Sequence, residues 1–159
     1  MRYYIRDGIL YPEDPSDISK ALAQIQAPAL YTRKIILNGQ QKPQLTADIQ
    51  ESIHKPYRSY LLLDSKGTVL FRGIPRENQK QADLFFQEQR YELSMRDPRT
   101  FCLTDQKGHL GWKLTHNGIQ GGWNLLTDLF LSPDIHLGLF VFTRYLDKEK
   151  ESIPCQRKE

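Results

Sequence analysis

Near its carboxyl end the chain reads SPDIHLGLFVFTRYLDKEKE, and this segment restricts the fold more than any other. Ser132 and Pro133 suit the N-cap and first position of a helix, and Asp134 suits the positive end of its dipole. Ile135, Leu137, Leu139, Phe140, Val141, Phe142, Tyr145 and Leu146 then fall on nearly every face of that helix. A helix apolar all round is surrounded by protein or by lipid. This one is too short for lipid, since its longest apolar run is LGLFVF and a span needs about 20 residues. It must therefore be surrounded by the rest of the chain. From Asp147 the sequence turns polar, so the helix is expected to emerge into water there.

What precedes the helix is rich in strand and hairpin signals. LLLDSKGTVLFRG (61–73) and TFCLTDQKGHLGWKL (100–114) share one punctuation: an apolar run, an Asp, a Gly three residues on, then a second apolar run. The Asp accepts backbone N–H groups ahead of it, and the Gly takes φ > 0 without a Cβ clash. Each pattern predicts a hairpin with a glycine bulge. Asp7-Gly8 predicts a third hairpin between RYYIR and ILYP, and Asn38-Gly39 a fourth between YTRKIILNG and PQLTADIQ. RYELSMRD reads as a strand. SDISKALAQI (16–25) reads as a helix, with Ile18, Leu22 and Ile25 near helical spacing. Residues 77–89 are ambiguous, with Leu84, Phe85 and Glu88 in helical register. Many antiparallel strands followed by one apolar helix predict a mainly β fold, an antiparallel barrel wrapped around a buried C-terminal hydrophobic helix. The expected domain covers residues 1–150, with a polar tail at 151–159.

Composition narrows the function classes. The 159 residues are 39% hydrophobic and 26% charged, with a formal net charge of +3. That is a globular balance, mildly basic. No basic run is interleaved with aromatics, so a nucleic-acid surface is not expected. Two cysteines, Cys102 and Cys155, make no disulfide framework, and Cys102 lies in an apolar run as a buried thiol. MRYYIRDGILYPED is charged throughout and is not a signal peptide, so the expected location is cytoplasmic, with peripheral membrane contact open.

No catalytic signature is present, and an enzyme is not expected. His54, His109, His116 and His136 have no metal spacing, and no cofactor or metal is called for. Cys102 has neither a base nor an oxyanion hole beside it in sequence. NGIQGGW lacks the strand-to-helix context and Lys-Ser/Thr ending of a phosphate loop, so its glycines read as a bend. The basic residues are more suggestive. Arg33, Lys34, Arg72, Arg76 and Lys113 sit on or beside predicted strands. Arg72 and Lys113 each lie five residues past a hairpin glycine, at like heights if the hairpins are equivalent. Together such cations could hold a phosphate by charge-assisted hydrogen bonds.

The paired hairpins LLLDSKGTVLFRG and FCLTDQKGHLGWKL, with the apolar helix DIHLGLFVFTRYLD, resemble the tubby C-terminal-like superfamily, which includes phospholipid scramblases and LURP-one-related proteins. The resemblance is to a small bacterial-type member and covers residues 1–148. It implies a barrel of about a dozen strands around a central helix. It also implies contact with phosphoinositides or other membrane phospholipids through a basic site on the barrel. Scrambling is not implied, because the chain has no cysteine-rich cluster and no Ca²⁺-ligand run of the scramblase kind. The function expected is non-enzymatic binding of an anionic phospholipid or another ligand at a membrane surface. The rival classes are a small-molecule enzyme with a pocket at the barrel mouth, and a structural module that binds a protein partner. Oligomeric state is left open.

Overall fold

A computed structural model describes residues 1–13, 20–26, 32–51 and 58–149. Twelve strands run in chain order: β1 (Arg2–Arg6), β2 (Ile9–Pro12), β3 (Ala23–Gln26), β4 (Lys34–Asn38), β5 (Pro43–Glu51), β6 (Arg58–Asp64), β7 (Val69–Pro75), β8 (Gln81–Phe86), β9 (Gln89–Asp97), β10 (Thr100–Thr104), β11 (Leu110–His116) and β12 (Trp123–Thr127). Helix α1 (Pro133–Glu149) follows. Each strand pairs antiparallel with its neighbour in sequence, and β1 pairs with β12 to close the barrel. The sheet is thus a simple meander with no free edge.

The turns explain the register. Asp7 and Gly8 lie at φ 54° and 75°, the left-handed pair that a two-residue hairpin needs. Asp64 Oδ1 accepts the N–H groups of Lys66 and Thr68, both at 2.9 Å, and Asp105 Oδ1 accepts those of Lys107 and His109 at the same distances. Gly67 and Gly108 both lie at φ 84°. Asn38 makes the same device a third time, accepting from Gln40 at 2.9 Å and Lys42 at 3.2 Å. There the left-handed position belongs to Gln41, at φ 62°, and not to Gly39. Beside each of these three turns the strand register shifts, as the predicted bulges require.

Alternate side chains point inward and meet α1. The inner wall includes Leu10, Ile36, Leu62, Phe71, Leu84, Leu93 and Phe101, all buried. The helix threads the barrel, its 17 residues spanning about 25 Å. Leu139 is 1% exposed and Phe142 is not exposed at all. The helix packs closest on β3, β4 and β5, where buried Ala23 and Ala47 leave it room. On the β6 side, Gly138 makes room for the Leu62 side chain. A Cβ there would stand 2.6 Å from Leu62 Cδ1, well inside van der Waals contact.

Two local expectations are corrected, and one stretch left open is resolved. Residues 23–26 are strand, not helix: Ala23 pairs with Asn38 and Ile25 with Ile36, and the ladder with β4 overrides the local helical spacing. Residues 16–19 of that predicted helix lie outside the described residues. The 77–89 stretch contains β8, whose Ala82 and Leu84 face inward at period two while Asp83 and Phe85 face out. Finally, α1 does not leave the protein at Asp147. Glu149 is buried, and its Oε1 accepts the Tyr60 hydroxyl at 2.7 Å. That donor compensates a carboxylate placed at the unfavourable, negative end of a helix dipole.

Candidate functional site: a cationic cleft at the exit mouth

The threading helix gives the barrel two unlike ends. At the entry mouth the chain leaves β12 and starts α1. At the exit mouth α1 ends, among the starts of β4, β6 and β12 and the ends of β3, β5 and β11.

A cleft of about 160 Å³ opens at the exit mouth, between the last turns of α1 and the rim of β3–β6. Ile25, Ile49, Val141 and Tyr145 form its apolar floor and sides, and Lys34, Arg58, Arg144 and Lys148 supply its charge. Among the described residues no carboxylate lines it. Lys34 opens β4, Arg58 opens β6, and Arg144 and Lys148 lie one turn apart on α1. Arg58 is held by Glu51 at 3.3 Å. Lys34 and Lys148 make no ion pair or hydrogen bond among the described residues.

Arg144 is the cation most shaped by the fold. Its guanidinium carbon lies 4.3 Å from the Trp123 ring centre, 5.1 Å from that of Phe101 and 5.6 Å from that of Phe140. Its Nε donates to Thr143 Oγ1 at 3.4 Å, and its Nη2 is buried without a hydrogen-bond partner among the described residues. Burial pushes its pKa below the ordinary arginine value, and Asp147 nearby opposes that push. Arginine stays protonated regardless. The group is therefore a partly desolvated cation held against three aromatic rings, and its charge reaches the cleft that Arg144 lines. Tyr145 fixes the opposite wall by donating its hydroxyl to the Thr32 carbonyl. Burial keeps that phenol far above its ordinary pKa, so it remains a neutral donor.

The five cations singled out in the sequence do not converge. Arg33 and Lys34 stand at the start of β4, Arg72 and Arg76 on and just after β7, and Lys113 on β11. Those strands are three, four and five steps apart around the twelve-strand wall. Arg72 and Lys113 both face outward, but four strands at about 4.8 Å each put nearly 20 Å of wall between them. Arg33 donates to Asp48 at 3.0 Å. Arg76 is tied to Asp83 at 2.7 Å, Glu92 at 2.9 Å and Gln81 at 3.0 Å. Burial would raise the Asp83 pKa, but hydrogen bonds from Arg76 and Arg90 hold it below the usual carboxylate range. Arg76 is therefore a brace across β7, β8 and β9. Lys113 lies in a shallow outer groove with Arg2 and Glu13. Of the five, only Lys34 lines the cleft.

Arg58, Arg144 and Lys148 escaped the sequence reading. A signal for two of them was present: Arg144 interrupts an otherwise apolar helix, and Lys148 follows at i+4 on the same face.

The remaining candidates have structural roles or lie outside the described residues. His136 is fully buried at the entry mouth, where its Nδ1 accepts the Trp112 indole N–H at 3.3 Å. Burial depresses its pKa to about 4. His109 sits 3.4 Å from Asp105 on an exposed turn. His116 Nδ1 accepts the Gly118 N–H at 2.9 Å. Cys102 is buried, as expected. His54 and Cys155 fall outside the described residues. Among the described residues, no cluster of three or more His, Cys, Asp or Glu could hold a metal, and no helix is long and apolar enough to cross a membrane.

No family model, curated protein or solved structure matches this chain.

Proposed function

We propose that the protein is a non-enzymatic binding barrel of the tubby-like type, and that its exit mouth receives the anionic headgroup of a membrane phospholipid. The observation that carries this reading is the convergence of Lys34, Arg58, Arg144 and Lys148 on one cleft that no carboxylate lines among the described residues. Among the described residues, Lys34 and Lys148 have no ion-pair or hydrogen-bond partner. A phosphate or phosphodiester offers several acceptor oxygens to such a set. The apolar lining from Ile25, Ile49 and Val141 suits the glycerol end of a lipid. A barrel closed around a helix is also the architecture that the resemblance implies.

The test is vesicle co-sedimentation at low salt. Phosphatidylcholine vesicles containing phosphatidylserine should retain the protein, and pure phosphatidylcholine vesicles should not. Each lysine near an anionic surface contributes about 1 kcal/mol, so Lys34→Ala/Lys148→Ala should weaken retention by roughly thirtyfold. Equal recovery from both kinds of vesicle would refute the reading.

A further inference from the structure

We infer that the exit mouth docks face-on to an anionic bilayer, with Ile119 as an apolar tip that enters the lipid at the same mouth as the cationic cleft. This rests on the proposed headgroup site and adds an orientation and a second contact. Ile119 crowns the connection between β11 and β12 and is fully exposed. A lone exposed apolar side chain is ordinary on a protein surface. What distinguishes Ile119 is how it is held and where.

The turn beneath it is braced at several points. The Asn117 N–H donates to the Gly122 carbonyl at 3.0 Å, and the Gly121 N–H to the Gly118 carbonyl at 3.0 Å. The Tyr4 hydroxyl donates to the Gly121 carbonyl at 3.1 Å, and Asn124 donates to the Asn117 side chain. Gly118, Gly121 and Gly122 lie at φ 67°, 76° and 78°, which folds the loop tightly and pushes its one apolar residue outward. Little ordering entropy is left for the tip to lose on binding.

The turn also connects physically to the cleft. Trp123 closes its base, stacked edge-on with His116 at 4.7 Å, and Arg144 lies over the same indole while lining the cleft. Apolar tip and cation set therefore share one mouth and one rigid aromatic support. A surface that meets both is anionic at its face and apolar just beneath, which describes a bilayer and not a soluble phosphate compound. The barrel has a second exposed apolar tip, Phe130, on the β12–α1 connection at the opposite mouth. A rigid barrel cannot lay both ends on one membrane, so the two tips separate the possible orientations.

The experiment compares wild type, Ile119→Ser and Phe130→Ser on phosphatidylcholine vesicles with phosphatidylserine, after confirming unchanged melting for each. Loss of one inserted isoleucine should weaken binding by roughly tenfold, and Phe130→Ser should leave it unchanged. If wild type binds and Ile119→Ser binds equally well, the tip is wrong while the headgroup site stands. Weakening by Phe130→Ser, alone or with Ile119→Ser, overturns the orientation. Failure of wild type to bind removes both readings.

Discussion

The two mouths of the barrel are held by the same helix and the same strands, yet they solve opposite problems. At the entry mouth polar groups are turned inward and sealed. Trp112, His136 and Thr127 are all buried, and Thr127 accepts the Leu129 N–H while donating to the Gly111 carbonyl. The Met1 amine donates to the Thr127 carbonyl at 2.9 Å, tying the chain start to the same plug. At the exit mouth cations face a cleft, and among the described residues two lysines and part of an arginine are without partners. A closed sheet leaves little room for function on its wall, because inward positions are filled and outward ones are paired or solvated. Chemistry is left to the ends: the interior of the entry mouth is sealed, and outside that seal an open groove of about 450 Å³ runs past Asp105, His109 and Asp128.

The largest expected contrast is in pH dependence. His136 has a folded pKa of about 4, against about 6.5 unfolded, so the unfolded chain takes up a proton first. Burial is the main cause; the Met1 amine adds to it, while the Leu129 backbone and Asp134 oppose it. Its contribution is fully present above pH 6.5 and is lost as pH falls toward 4, by about 3 kcal/mol in all. Urea melts from pH 7 to 4 should show wild type losing that much more stability than His136→Gln. Parallel curves for the two would mean that the entry mouth is not sealed.

A smaller effect is expected at the exit mouth. Tyr60→Phe removes the hydroxyl that Glu149 accepts and should lower stability by about 2 kcal/mol at neutral pH. The same change in a Glu149→Gln background should cost distinctly less. An equal cost in both backgrounds would show that the pair does not anchor the end of the helix.

The smallest effects belong to the turns of the entry mouth. Gly108→Ala forces a Cβ into the left-handed region and should cost about 1 kcal/mol. Glu88→Gly should gain a similar amount, since Glu88 already sits at φ 66°. Thermal melts of the two single variants should move in opposite directions, and movement in the same direction would contradict the turn assignment.

These turns also show why some elements were legible in the sequence and others were not. The hairpins at Asp7, Asn38, Asp64 and Asp105 carry their mechanism in the residues that form them. The β8–β9 turn does not: Gln87 and Glu88 take φ 49° and 66° with neither glycine nor asparagine, and are held there by the closed ladder. Without a turn signal, residues 77–89 stayed ambiguous between helix and strand. β3 is only four residues long, and its pairing partners, not its own pattern, make it a strand. The apolar helix was legible because burial on all faces leaves a mark in every residue. The cleft was not, because β4, β6 and α1 contribute its cations from positions far apart in the chain, and only closure of the barrel brings them together. The outward run of single cations on β7 and β11 was visible and led elsewhere.

Closure of β1 against β12 has a consequence for how the chain is made. The first strand waits for the last before it has a second neighbour, and the interior of the whole cylinder arrives only with the segment after that. A ribosome releases the amino end long before either is available, so partial chains hold apolar strands with nothing to cover. Such a topology favours a single late, concerted collapse over stepwise assembly, at the slow end of rates for a chain this size.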